Sequence, residues 1–198
     1  YARIAWAVSA LWILGFLDDR FPLGPALKLA VQVVAAGFVV LGGSIFPATP
    51  WYLPNVALSV FWIVMITNAF NLIDNMDGLC AGVVIIICLF RAWLLASEGY
   101  QADADLCTIL AGAFAGFLFF NYPPACIFMG DCGSLPAGFA LGALALAGPA
   151  PHKGLLLAGV FYPALTFAYP IFDTALVSVL RQLAGRPISR GGRDHSSH

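Results

Sequence analysis

Long apolar segments separated by short polar ones run through the whole chain. Most of them approach the ~20 residues that a helix needs to cross a bilayer. Seven runs cover residues 1–17, 29–46, 52–70, 79–97, 106–120, 134–149 and 154–180. The fifth and sixth are short, so we expect their helices to extend into the flanks, and Pro163 and Pro170 offer break points in the seventh. The pattern predicts an all-α polytopic transmembrane helical bundle of about seven spans.

The positions of the polar clusters support this count of spans. Loops after the first, third, fifth and seventh runs hold acids, amides and cations, whereas the other loops read as bland turns. Because alternate loops lie on the same side of a membrane, every cluster falls on one face. That face carries Arg20, Lys28, Arg181, Arg186, Arg190 and Arg193, against Arg3 and Lys153 opposite. The positive-inside rule makes it cytoplasmic.

Composition narrows the class further. The 198 residues are 61% hydrophobic and only 10% charged, with a mean hydropathy of +0.90, which a soluble core of this size could not bury. The net charge of −1 and the lack of a basic tract give no reason to expect nucleic-acid binding. Five cysteines form no CxxC pair and are interpreted as small buried hydrophobic residues.

Residues 68–82 place acids and amides directly between two apolar runs. Ionisable groups beside the hydrocarbon layer are costly, so they indicate a functional site. Asn68, Asn71, Asp74 and Asp77 recur every third residue, and a helix through them would put the last three on one broad face. Ordinary helix capping would explain one Asn and one Asp, but not four polar residues in register. Gly78 suits the helix end.

Two further clusters lie on the same predicted face. Asp18 and Asp19 follow the first run, where a cation would relieve their repulsion, although a simple polar stop after a span explains them equally well. Asp131 lies between glycines and Ser134 suits an N-cap for the next run. A free helix start binds phosphate, and a carboxylate beside it suits Mg²⁺. A turn with an ordinary capped helix is the alternative.

The last residues form a cationic loop rich in histidine and glycine. Arg193, His195 and His198 are its main polar groups, and without thiol partners they favour anion binding over zinc. Acids that can bind a metal, cations and a phosphate-binding helix start are the groups that enzymes of phosphoryl transfer use to position substrates and neutralise their charge. The membrane setting suggests that one substrate is a lipid.

Four motifs in this order resemble the polyprenyl-phosphate N-acetylhexosamine-1-phosphate transferases, which include the phospho-MurNAc-pentapeptide translocase. The Asp-Asp-Arg and Arg-Asp-His forms are closer to the GlcNAc-1-phosphate branch. The motifs are Asp18-Asp19, Asn71-x-x-Asp74-x-x-Asp77-Gly78, Met129-Gly130-Asp131-x-Gly133-Ser134 and Arg193-Asp194-His195-x-x-His198.

The resemblance implies a reaction, a cofactor and a location. A sugar 1-phosphate, most simply GlcNAc-1-phosphate, would pass from a UDP-N-acetylhexosamine to undecaprenyl phosphate with release of UMP, starting cell-envelope polysaccharide synthesis. Mg²⁺, or Mn²⁺ in its place, would be required. The enzyme would be a multi-pass inner-membrane protein with its catalytic motifs in the cytoplasm, and a homodimer is compatible with the family.

The resemblance also implies residue roles. Asp18 would be the base that deprotonates the lipid phosphate, in either direct attack or a two-step route through an aspartyl intermediate, and Asp131 would bind the metal. The other implied catalytic residues are Asp19, Asn71, Asp74, His195 and His198; the implied substrate-binding residues are Lys28, Asp77, Asn121, Phe128 and Arg193, with Phe128 stacking on uracil.

Two departures and two rivals accompany this interpretation. The family's His-x-His-His loop reads His195-Ser-Ser-His198 here, and helices that flank the family core are expected beyond the single catalytic domain of residues 1–198. A cation-coupled transporter would also use intramembrane acids, but it would place them near the bilayer midplane. In this chain the acids cluster at the ends of the apolar runs. A CDP-alcohol phosphatidyltransferase shares Asp-x-x-Asp-Gly, but continues with Ala-Arg where this chain has Leu79-Cys80.

Overall fold

The computed structural model describes residues 1–147 and 163–183, and over these residues the fold is all-helical, as predicted. A helical turn at 163–166 precedes the last helix. The seven helices with complete bounds are α1 (Ala2–Arg20), α2 (Pro25–Val40), α3 (Tyr52–Ile73), α4 (Leu79–Ser97), α5 (Gln101–Asn121), α6 (Gly130–Ala147) and α7 (Ala168–Leu183).

Three helices of the described part, α3, α4 and α5, are long and apolar enough to cross a bilayer. Helix α2 is also apolar but has only 16 residues. Helix α1 has 19 residues, and its last three are the charged Asp18, Asp19 and Arg20. A helical membrane protein is therefore supported, while about seven spans and the side of the membrane stay predictions.

Helix boundaries differ from the apolar runs in an informative way. Helix α5 extends beyond the short run at 106–120 at both ends, and α6 begins four residues before the run at 134–149, as expected. The seventh run is interrupted by a turn at Phe167, between Pro163 and Pro170. Pro170 instead lies in the first turn of α7, where a proline removes no intrahelical hydrogen bond.

The end of α3 corrects the predicted shared helical face. Helix α3 ends at Ile73, and Asp74 has left helical geometry, with a ψ of 43°. Asp77 therefore lies in the following turn rather than on a face with Asn71. Gly78 adopts a φ of 76°, a left-handed conformation that favours glycine, and leads directly into α4. The start of the next helix at residue 79 was predicted correctly, whereas the helical path through Asp77 and the helix end at Gly78 were not, since α3 ends five residues before Gly78.

The core brings four helix ends together. Helix α3 packs on α2, α6 and α7, α1 packs on α2 and α6, and α4 pairs with α5. Ile63, Ile66 and Phe70 of α3 and Phe139 of α6 are fully buried in the centre of this arrangement. As a result, the end of α1, the start of α2, the end of α3 and the start of α6 meet at one end of the bundle.

Small residues allow α6 to approach its neighbours closely. A Cβ on Gly138 would lie 2.8 Å from the Phe70 Cβ and 2.9 Å from the Thr67 Cα of α3. A Cβ on Gly15 of α1 would lie 2.6 Å from the Cys132 Cα at the start of α6. Small residues at membrane helix interfaces permit this backbone proximity.

Replacing Gly138 by alanine is expected to destabilise the bundle by about 1–3 kcal/mol, because the new methyl group meets α3 backbone and Cβ atoms. Thermal unfolding in detergent would measure the loss. Gly112→Ala is the matched control, since a Cβ there meets nothing within 4 Å and α5 gains helix propensity. Equal melting temperatures for the two variants would contradict this packing.

Candidate active site

The Asp131 carboxylate is the meeting point of three helices. It lies at the second residue of α6, with its side chain 20% exposed. The Lys28 Nζ of α2 donates to one oxygen at 2.8 Å, and the Asn71 Nδ2 of α3 donates to the other at 2.7 Å. Each oxygen of Asp131 is thus held by a different helix, and the two contacts together orient the carboxylate.

Lys28 also connects Asp131 to α1. Its Nζ lies 2.9 Å from the Asp18 Oδ2, so one ammonium group bridges two carboxylates. The other oxygen of Asp18 accepts the Leu23 N–H at 2.7 Å. All three charged side chains are half-buried, which makes their mutual compensation more important than on an open surface.

Carboxylates from two other elements occupy the start of α6. The two oxygens of Asp19 accept the backbone N–H groups of Asp131 at 2.9 Å and of Cys132 at 3.0 Å. The Gly130 N–H binds the carboxylate of Asp74. Carboxylates are favourable there because a helix start has unpaired N–H groups and a positive dipole end. The predicted open phosphate site at this helix start is wrong, since its first donors are already bound.

Gly130 makes this approach possible. Its φ of 61° is left-handed, and a Cβ on it would lie 2.7 Å from an Asp19 carboxylate oxygen. Ser134 was predicted to be the N-cap of this helix, and that prediction is wrong because α6 begins four residues earlier. Its hydroxyl instead donates to the Gly130 carbonyl at 2.9 Å and accepts from the Asn71 Nδ2 at 3.0 Å.

Asp74 lies just beyond the end of α3 and faces this acidic group. Partial burial, and next the negative charge of Asp131, raise its pKa from 3.8 to about 7; Asp19 and Asp77 add to the rise, and the Gly130 N–H opposes it. Asp74 therefore changes charge near neutral pH when no metal is bound.

Asp77 and Asn121 form a separate group that holds the loop between α5 and α6. The Asp77 carboxylate accepts the Ala125 N–H at 3.1 Å. Buried Asn121 accepts the Gly78 N–H at 2.9 Å and donates to the Ile127 carbonyl at 2.8 Å. Phe128 follows this loop with 74% of its surface exposed, so its ring is accessible for stacking.

The sequence-predicted residues therefore fall into three sets. Asp18, Asp19, Lys28, Asn71, Asp74 and Asp131 come together around the start of α6, and Asp77, Asn121 and Phe128 belong to the neighbouring loop. Arg193, His195 and His198 lie outside the described residues. The contact of Ser134 with Asn71 was missed, and the sequence gives no signal for it beyond a polar residue near the acid.

The donor set near Asp131 suits a hard cation. Asp18 and Asp131 converge from different helices on the position of the Lys28 ammonium, so a positive group is already stabilised there. No group of three or more His, Cys, Asp or Glu side chains within residues 1–147 and 163–183 is arranged as a metal site. Mg²⁺ often uses only one or two carboxylates together with substrate phosphates, so this arrangement fits.

Comparison with known proteins now places the chain in a family. Residues 1–149 match the model of glycosyl transferase family 4. The chain belongs to glycosyl transferase family 4. All the residues around Asp131, together with the Asp77 and Asn121 loop, lie inside the matched part of this family 4 chain.

Curated relatives of this family 4 chain carry related names. It is 36% identical over 195 residues to a probable undecaprenyl-phosphate N-acetylglucosaminyl 1-phosphate transferase of Bacillus subtilis, covering 94% of the chain and 54% of the relative. It is 33% identical over 222 residues to a decaprenyl-phosphate N-acetylglucosaminephosphotransferase of Mycolicibacterium smegmatis, covering 97% and 54%. A phospho-N-acetylmuramoyl-pentapeptide-transferase of Lactobacillus delbrueckii is 37% identical over 175 residues, covering 79% and 54%. The family 4 chain thus spans about half the length of these relatives.

Asp74→Asn is expected to stabilise the metal-free protein more at pH 8 than at pH 5. The folded pKa of about 7 exceeds the unfolded value of 3.8, so the wild type loses stability as pH rises between them. Removing the charge should recover on the order of 2–4 kcal/mol at pH 8. Thermal unfolding in detergent with a chelator would measure this. The same gain at both pH values would show that the carboxylate is not destabilised by its surroundings.

Proposed function

We propose that the protein transfers a sugar 1-phosphate, GlcNAc-1-phosphate first among them, from a UDP-sugar to undecaprenyl phosphate and releases UMP. The proposal depends most on one observation: Lys28 bridges the carboxylates of Asp18 and Asp131 beside the start of α6. The names of the relatives, which include polyprenyl phosphates and N-acetylglucosamine phosphate transfer, supply the substrate class.

In the proposed reaction an oxygen of the lipid phosphate attacks the β-phosphorus of the UDP-sugar. The bond from that phosphorus to the bridging oxygen breaks and UMP leaves, so the lipid gains a diphosphate-linked sugar. Most of the catalysis in such a transfer is positioning and charge stabilisation. The described residues supply fixed donors and acceptors for both tasks.

Lys28 couples substrate binding to the freeing of a base. In the structure its ammonium group is bound to Asp18, which makes that carboxylate a poor proton acceptor. An incoming phosphate offers Lys28 a new anionic partner. Asp18 then accepts the proton of the lipid phosphate through its Oδ2, while the Leu23 N–H keeps its other oxygen in place.

Asp131 would hold Mg²⁺, for which Mn²⁺ is a substitute. When bound, the metal would neutralise the diphosphate charge and polarise its phosphorus–oxygen bonds. Asn71 and Ser134 keep the Asp131 carboxylate oriented toward this position. Phe128, whose exposed ring follows the loop held by Asp77 and Asn121, would stack on the uracil ring.

The proposal includes a cytoplasmic active site in a bacterial inner membrane. The positive-inside rule supports that orientation. A cation-coupled transporter is less well supported, because Asp18, Asp74 and Asp131 all lie at or beside helix ends. A transporter would place them near the midplane, between broken helices.

The direct test uses the full-length protein in detergent with undecaprenyl phosphate, Mg²⁺ and a panel of UDP-N-acetylhexosamines. We expect UMP release that requires both the lipid phosphate and the metal. The best donor identifies the sugar. A folded protein that releases no UMP from any donor would contradict the proposed reaction and favour the transporter.

Asp131→Asn is expected to lower kcat by about 10²–10³-fold, because a neutral amide stabilises neither the metal nor the Lys28 ammonium as well. Excess Mg²⁺ should restore part of the activity. Asp105→Asn is the matched control, since this exposed carboxylate accepts a hydrogen bond from the Gln101 amide at the start of α5, the opposite end of that helix from Asn121. Wild-type rates for Asp131→Asn at low Mg²⁺ would remove Asp131 from the metal site.

A further inference from the structure

A hydrogen-bonded amide pair, formed by a buried glutamine and a half-buried asparagine, lies one helical turn below the candidate active site. Gln32 of α2 is 1% exposed in an otherwise apolar stretch, and its side-chain carbonyl accepts the Asn68 Nδ2 of α3 at 2.6 Å. The same Asn68 nitrogen donates to the Val64 carbonyl at 2.8 Å. Both of its hydrogens are therefore used, which gives this side chain a single defined orientation.

The two amides lie on the same helix faces as the two side chains that bind Asp131. Gln32 lies one helical turn after Lys28 on α2, and Asn68 lies one turn before Asn71 on α3. Each turn is about 5.4 Å. The Gln32–Asn68 bond thus connects the same two helices one layer deeper, away from the polar end of the bundle.

Placing two amides between apolar helices gives no stability that two leucines would not also give. Apolar contacts, however, tolerate small slides and rotations of one helix against another. A short hydrogen bond between two oriented amides does not, since a shift of about 1 Å breaks it. The pair therefore sets the register between α2 and α3.

This register decides how Asp131 is held. Lys28 binds one carboxylate oxygen and Asn71 binds the other, so the two contacts hold together only when α2 and α3 keep their relative height. A slide of either helix would release one oxygen and rotate the carboxylate away from Asp18. The Lys28 ammonium sits on a flexible four-carbon stem, so it does not fix this height itself.

We propose that Gln32 is a positioning residue of the active site, acting through Asn68 to keep Lys28 and Asn71 on opposite oxygens of Asp131. It contacts no substrate. The catalytic consequence rests on the proposed sugar-phosphate transfer, whereas the geometric consequence can be measured without it.

Four variants separate positioning from packing. Gln32→Leu and Asn68→Leu each remove the bond between the two helices and leave the other amide without its partner there, although Asn68 keeps its bond to the Val64 carbonyl. The double leucine variant restores an apolar contact without a hydrogen bond. The swap Gln32→Asn with Asn68→Gln keeps both amides and the total side-chain length. Ser59→Ala is the control. Ser59 lies on α3 about 14 Å from Asn68, and its removal deletes a different buried hydrogen bond, the one that its hydroxyl accepts from the Phe46 N–H.

The first readout is zero-length cross-linking with a water-soluble carbodiimide. The reagent activates a carboxylate, the Lys28 amine attacks it, and an amide forms as the urea leaves. Mass spectrometry then gives the ratio of Lys28–Asp131 to Lys28–Asp18 links. We expect Gln32→Leu and the double leucine variant to lower this ratio at least about 3-fold, and the swap to restore it.

The second readout is turnover of the full-length protein, with its melting temperature. We expect kcat to fall about 10-fold or more in Gln32→Leu while the KM for the UDP-sugar changes little, because misplacement affects the reacting geometry. The double leucine variant should regain its melting temperature without regaining kcat. The swap should regain both.

Recovery of the cross-link ratio and kcat in the double leucine variant would overturn the proposal and leave the pair as a packing element. Losses in Gln32→Leu no larger than in an equally destabilised Ser59→Ala would overturn it as well. If the wild type releases no UMP but the cross-link ratios follow the expected order, the proposed reaction fails while the positioning role of Gln32 stands.

Discussion

A half-buried carboxylate at the start of α6 is the interaction on which the site depends. Asp131 needs compensation for its charge, and it obtains this from the Lys28 ammonium, the Asn71 amide and the helix end itself. Because these partners belong to α2, α3 and α6, satisfying one charge requires three helices to meet at one height. The close packing of α1 on α6 at Gly15 then brings Asp18 to the same point.

The acids of the site divide between architecture and chemistry. Asp19 and Asp74 bind the first N–H groups of α6, and Asp77 holds the loop that precedes it. Their grouping still affects reactivity, since the neighbouring charges help to raise the pKa of Asp74 to about 7. An acid that builds the helix start can therefore also respond to whatever binds beside it, as a cation near Asp131 would lower that pKa again.

The sequence predicted the helices and the chemistry more fully than the contacts. Apolar runs located every described helix, and the motif containing Asp131 identified the centre of the site. Asp19 capping α6 could not be predicted, because 112 residues separate Asp131 from it and no local pattern connects them. The every-third spacing through Asp77 predicted one helical face, but the chain leaves the helix at Asp74 so that its carboxylate reaches the Gly130 N–H.

The same division explains why the apolar helix α2 carries Lys28 and Gln32 on one side. A single cation at a helix end needs no partner below it, since it can extend toward water. A cation that must hold one oxygen of a carboxylate while another helix holds the second does need a fixed height. The Gln32–Asn68 bond supplies that height where apolar packing alone would leave it free. Polar residues one turn inside the bundle are thus part of the same constraint as the charges at its end.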